Sequence, residues 1–389
     1  MRALLFVVFS FGCTLFLTAQ STTLRVGAER MDLYLPKIAG KRVGLVLNHT
    51  ATVDKSHLLD TLLALGVRVE KVFVPEHGLR GTADAGEKVT DGKDPRTGVS
   101  VVSLYGKKRK PSPEDLAGID VLLFDIQDVG VRFYTYISTL HYVMEGCAEA
   151  NFPLMVLDRP NPNGHFVDGP ILDTAYRSFV GMHPIPVAHG MTIGEYAKMI
   201  NGERWLKDGI QCALEVIPCA GYTHDTPYDL PLKPSPNLPN MRSIYLYPSI
   251  CYFEGTQVSL GRGTDKQFQV LGTPGFPKGD YTFTPEPKEG AMDPFLKGQL
   301  CRGYDLSTMD PMEIRNWRRI NLSYLIQMYQ DYPDKSKFFL ANNFIDKLAG
   351  GDHLRKQIIA GMSEAEIRAT WQPGLRAFQA VRNKYLLYQ

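Results

Sequence analysis

Five short apolar runs rich in β-branched residues, at 43–47, 69–74, 99–104, 121–126 and 154–157, alternate with segments of helical periodicity in the first half of the chain. No other feature restricts the fold as strongly. A strand that is apolar on both faces has to be covered on both, which demands a parallel sheet with helices above and below it. Helices are expected over 57–65 and 135–150, and Ser112-Pro113-Glu114-Asp115 supplies a helix start before the fourth run. Residues 21–169 are therefore read as a Rossmann-like, doubly wound α/β domain.

The texture then changes. Between about 170 and 311, Pro and Gly are frequent and candidate strands are short, such as 214–217 and 281–284. A capping box of Thr192 with Glu195 opens a helix over 192–201. Another, Ser363 with Glu366, opens a final helical stretch with Trp371, Phe378, Val381 and Tyr385 as its buried stripe. Pro373 is expected to kink or divide that stretch. Residues 170–389 are read as a second, smaller α+β domain with a helical C-terminal part.

Residues 1–20 are set apart from the fold, because Arg2 precedes an apolar run over 3–17 and Thr18-Ala19 lead into polar Gln20. The run is shorter than the roughly 20 apolar residues that span a bilayer, so it reads as a signal peptide rather than an anchor. An exported protein, periplasmic or extracellular, is expected. With 43 Lys and Arg against 41 Asp and Glu, nucleic acid is not an expected partner. Cys147, Cys212, Cys219, Cys251 and Cys301 lack C-x-x-C spacing and suggest neither a zinc site nor a dense disulfide framework. Pairing of Cys212 with Cys219 and buried free thiols both stay open.

In an open parallel sheet, ligands bind beyond the carboxyl ends of the strands. Those ends deliver Asn48, His49 and Thr50, then Glu76 and His77, then Asp125, Gln127 and Asp128, and finally Asp158, Arg159, Asn161 and Asn163. No G-x-G-x-x-G follows the first strand, the histidines are scattered, and no G-x-S-x-G elbow exists. No metal or organic cofactor is expected. Carboxylates remain, and they suit glycoside hydrolysis, where one acid protonates the leaving oxygen and a second group stabilises or attacks the anomeric carbon. Glu76, at the apolar end of a strand, is the candidate general acid, with Asp128 as its partner. Asp125 is read as structural, and on residues alone a Glu76 that merely caps the next turn stays open.

Two segments, Phe73-Val74-Pro75-Glu76-His77-Gly78-Leu79-Arg80-Gly81 and Asp125-Ile126-Gln127-Asp128-Val129-Gly130-Val131-Arg132-Phe133-Tyr134-Thr135-Tyr136, resemble signatures of one family. Leu157-Asp158-Arg159-Pro160-Asn161-Pro162-Asn163-Gly164 and the segments 184–192, 234–239, 253–264 and 361–388 are similar to its later blocks. The family, long catalogued as a domain of unknown function, is that of the exo-β-N-acetylmuramidases. The resemblance implies a Rossmann-like domain with an auxiliary domain, a cleft between them, and release of N-acetylmuramic acid from the non-reducing ends of peptidoglycan fragments. It also implies that the Pro-Glu-His-Gly motif carries the catalytic glutamate, Glu76. The lactyl carboxylate of that sugar calls for a guanidinium, and Arg132, Arg159 and Arg262 are the candidates. Tyr134 and Tyr136 are expected to meet sugar faces, while for Phe133, which precedes a helix packed on the sheet, stacking on sugar and burial in the core both stay open. Asn48, His77 and Asn161 at the strand edge, His189 before a helix, and Asn237, Glu254 and Arg262 on closing loops complete the expected binding set. Two rival readings share this cleft, a non-catalytic cell-wall sugar-binding protein and an amidase or esterase acting on peptidoglycan.

Overall fold

The computed structural model describes residues 23–76, 78–80 and 90–389, so the expected signal peptide lies outside the described residues. All five apolar runs form strands. The main sheet consists of β1 (Arg42–Leu47), β2 (Arg68–Val74), β3 (Gly92–Lys93), β4 (Ser100–Ser103), β5 (Val121–Asp125), β6 (Pro153–Leu157) and β7 (Ala213–Ile217). Their order is β3-β4-β2-β1-β5-β6-β7, with every pair parallel except β3 with β4. Val43, Leu45, Val46 and Leu47 of β1 and Val72, Phe73 and Val74 of β2 are all fully buried, as two-sided coverage requires.

Helices Leu58–Ala64, Tyr136–Glu149 and Ile193–Gly202 fall within a residue or two of the expected spans. The last starts where Thr192 accepts a hydrogen bond from the Glu195 N–H. One core runs from Val46 and Phe124 of the sheet through Tyr252 to Trp371 and Phe378, so the C-terminal helices are continuous with the α/β layers. Asp158, just past β6, accepts hydrogen bonds from the Thr192 hydroxyl, the Gly194 N–H and the Tyr388 hydroxyl, tying the chain's end to the sheet.

Two expectations need correction. The segment 213–217 is the seventh strand of the main sheet, paired in parallel with β6, so the sheet continues well past the expected domain boundary at residue 169. Pro373 does not divide the last helix, which runs unbroken over Glu364–Arg382. Its buried stripe of Ile367, Trp371, Leu375 and Phe378 continues on both sides of the proline, and that packing outweighs one lost backbone hydrogen bond. A separate antiparallel sheet has β10 (Cys301–Asp305) between β8 (Val270–Thr273) and β9 (Tyr281–Phe283). The five described cysteines are free and buried.

The strand order reverses direction between β1 and β5. There the connections lead to opposite sides of the sheet and the carboxyl ends diverge, leaving a crevice.

Candidate active site

Glu76 follows the fully buried end of β2, with only Pro75 between it and Val74. That position leaves the carboxylate half-buried at the mouth of the crevice. The hydroxyl of Tyr105, which lies just beyond β4, donates to Glu76 Oε1 at 2.9 Å, and the Thr135 hydroxyl donates to Oε2 at 3.4 Å. Burial, reinforced by the negative charge of Glu76, pushes the Tyr105 phenol well above its ordinary range. Tyr105 therefore keeps its proton and acts as a fixed donor.

A cleft of about 230 Å3 opens in front of Glu76. Tyr105, Thr135 and Tyr136 form its sheet side, and Ser235, Asn237, Glu254 and Arg262 approach from the later segments. Tyr134 is fixed by its hydroxyl bond to the Pro234 carbonyl at 2.8 Å and packs edge-on against Tyr136, with ring centroids 5.0 Å apart. Asn237 is held by a bond from its amide to the Gly290 carbonyl. Arg262 lies over the Phe268 ring and donates to Glu254 Oε1 from Nε at 3.1 Å and from Nη2 at 2.6 Å. The cleft thus joins two carboxylates, a guanidinium and several phenols, a donor set suited to a polyhydroxylated ligand and to acid catalysis.

Models of the exo-β-N-acetylmuramidase NamZ N-terminal and C-terminal domains match residues 43–242 and 245–388. The chain belongs to the exo-β-N-acetylmuramidase NamZ family. As a member of it, the protein is a glycoside hydrolase. The peptidoglycan β-N-acetylmuramidase NamZ of Bacillus subtilis is 38% identical over 95% of this chain and 93% of its own length. Two crystal structures of DUF1343 family proteins from Bacteroides fragilis share the fold. One has a TM-score of 0.88 at 48% identity, covering 95% of this chain and 99% of the other. The second has a TM-score of 0.80 at 29% identity, covering 94% and 99%. Residues matched by both NamZ models line the cleft, Ser235 and Asn237 from the N-terminal match and Glu254 and Arg262 from the C-terminal one.

Of the residues expected from sequence, Glu76, Phe133, Tyr134, Tyr136, Asn237, Glu254 and Arg262 come together on this cleft. His77 lies outside the described residues. The others are buried behind the wall and held by the protein itself. Asp128, expected as the catalytic partner, accepts from the Gly130 N–H at 2.7 Å and is only 4% exposed. Burial pushes its carboxyl up to about 7. His189 Nε2 is 3.9 Å from it, and burial holds that imidazole neutral by pushing its pKa down to about 3, so it offers no charge to an anion. Arg132 is fully buried, and its Nη1 and Nη2 donate to the carbonyls of Pro170, Ile185 and Leu348. Arg159 is buried against Asp125, with Nη2 donating to Oδ2 at 2.9 Å. Neither arginine can serve a ligand in the cleft, and Asp125 is structural as expected. Asn48 accepts from the Thr50 N–H and hydroxyl, and Asn161 bridges the Met191 carbonyl and the Asn163 N–H.

Tyr105, Thr135 and Ser235 are cleft residues that the sequence reading did not select. A signal for Tyr105 was present, because it follows a predicted strand at the same sheet edge as Glu76.

Proposed function

We propose that the protein releases β-linked N-acetylmuramic acid from the non-reducing ends of peptidoglycan fragments, with Glu76 as general acid and then base. The observation that carries this reading is the Glu76 carboxylate at the carboxyl end of β2, oriented by Tyr105 and Thr135 and facing a cleft lined by aromatic rings. In this mechanism Glu76 gives its proton to the glycosidic oxygen as the bond to the anomeric carbon breaks, then accepts a proton from the incoming water. Asp128 lies behind the wall, so the second role passes to a group in the cleft, either Glu254 or the acetamido oxygen of the substrate.

Arg262 reads the lactyl carboxylate. A guanidinium has five N–H donors, and Glu254 occupies only one from Nε and one from Nη2, so donors remain for a second carboxylate. Export by the leader at 1–20 would place the enzyme where such fragments occur.

The test is incubation with chromogenic β-N-acetylmuraminide and β-N-acetylglucosaminide side by side, followed by product analysis on a muramic-acid-terminated glycan. Free N-acetylmuramic acid from the muraminide and the glycan is the expected result. Release from the glucosaminide alone, or of peptide or acyl groups alone, would refute the reading.

A further inference from the structure

Phe179 is shared between the catalytic cleft and a second concavity of about 570 Å3, whose wall includes Arg109, Arg177, Ser178, Trp205 and Lys207. Its charge is uneven. Glu145 on its wall is neutralised by Lys110, which also holds Glu149. Asp208 is the other acid there. Arg109, Arg177 and Lys207 have no ion-pair partner among the described residues.

Two of these cations are nonetheless held in place. The Arg109 guanidinium stacks 4.5 Å above the Phe179 ring, and Arg177 Nε donates to the Met182 carbonyl at 2.7 Å. Uncommitted charges at fixed positions are a poor stabilising device and a good recognition device, because the ordering of the side chains precedes binding.

We propose that this concavity is an anion subsite that receives carboxylates carried by the substrate outside the sugar being released. The proposal rests on the glycosidase reading above and extends it. Such carboxylates have two sources, the lactyl group of a second muramic acid further along the glycan and the acidic residues of a peptide attached to that second muramic acid. Both present the same chemistry to Arg109, Arg177 and Lys207.

The experiment measures kcat/KM on three substrates, a peptide-free muramic-acid-terminated disaccharide, the peptide-free tetrasaccharide, and the tetrasaccharide bearing a peptide on its second muramic acid only. The proteins are wild type, the double variant Arg177→Ala/Lys207→Ala, and the single variant Lys207→Glu at an exposed position. The expected result is a loss of about tenfold or more on at least one extended substrate with the disaccharide unchanged, in keeping with charge-assisted contacts. The substrate that suffers identifies the carboxylate source. Raising the salt concentration should reduce the wild-type preference for that substrate and leave the double variant unaffected. Equal losses on all three substrates, or no loss on any, would overturn the subsite alone. Failure of the wild type to cleave the disaccharide would overturn the proposed function and the subsite with it.

Discussion

Replacing Arg132 should damage the fold rather than substrate choice. Nη1 donates to the Pro170 carbonyl at 2.7 Å and to the Ile185 carbonyl at 2.6 Å, and Nη2 to the Leu348 carbonyl at 2.9 Å. One side chain thus joins the loop after β5 to two later segments. Burial lowers its pKa to about 10, still high enough to keep the charge at neutral pH. Arg132→Ala strands the Pro170 and Leu348 carbonyls, while the Ile185 carbonyl keeps its bond from the Leu172 N–H, and each buried acceptor without a partner costs about 1–3 kcal/mol. Water entering the vacated space restores part of this, leaving a net loss of about 3 kcal/mol. At about 2 °C per kcal/mol for a chain of this length, Tm should fall by roughly 6 °C. Arg132→Lys should fall between, because an ammonium cannot span the same set of acceptors. The assay is thermal unfolding followed by circular dichroism, together with the muraminide-to-glucosaminide ratio of specificity constants measured well below Tm. An Arg132→Ala protein with wild-type Tm and a collapsed muraminide preference would refute the reasoning and return Arg132 to the substrate.

Three further outcomes follow from the geometry. Arg262→Ala should reduce the muraminide-to-glucosaminide ratio about tenfold or more, with Arg262→Lys restoring part of it, and an unchanged ratio in steady-state kinetics would exclude Arg262 as the lactyl reader. Tyr105→Phe removes the 2.9 Å bond to Glu76 and should lower kcat about tenfold with little change in KM, whereas an effect confined to KM would assign Tyr105 to binding. The Asp128 carboxyl, raised by burial to about 7, binds a proton in the folded state that the unfolded chain has already released. Its contribution is complete below about pH 4 and is lost as pH rises through about 7. Asp128→Asn retains an acceptor for the Gly130 N–H, so it should raise Tm over wild type more at about pH 8 than at about pH 4, and a pH-independent difference would contradict this.

The sheet was legible because its central strands are buried on both faces and carry that fact locally, as short runs dominated by Val and Leu. The place of β7 was not. Nothing within 213–217 tells that it pairs with β6, because parallel pairing joins segments separated by a whole helical crossover. Glu76 was legible from strand-edge logic, and Tyr105 satisfies the same logic after β4.

The arginines were not legible. Gly130, at a φ of 76°, turns the chain where an added Cβ would come within 2.1 Å of Asn161 Oδ1. Beyond that turn Arg132 donates its backbone N–H to the Val187 carbonyl, and its side chain points inward instead of into the crevice. A one-dimensional spacing of seven residues from Asp125 cannot register such a reversal. Arg262 reaches the cleft from a loop with no sheet edge to mark it, so sequence alone could not rank it above Arg132 and Arg159.

The account stands on Glu76, and one comparison tests it most directly: the rate of N-acetylmuramic acid release by Glu76→Gln and by wild type, with Tm recorded for both. The amide fills the same space and still accepts from Tyr105, but it has no proton to give the leaving oxygen. Turnover lower by about a hundredfold or more at an unchanged Tm is the predicted result. Near-normal release of N-acetylmuramic acid by Glu76→Gln would contradict the account and place the acid elsewhere in the cleft.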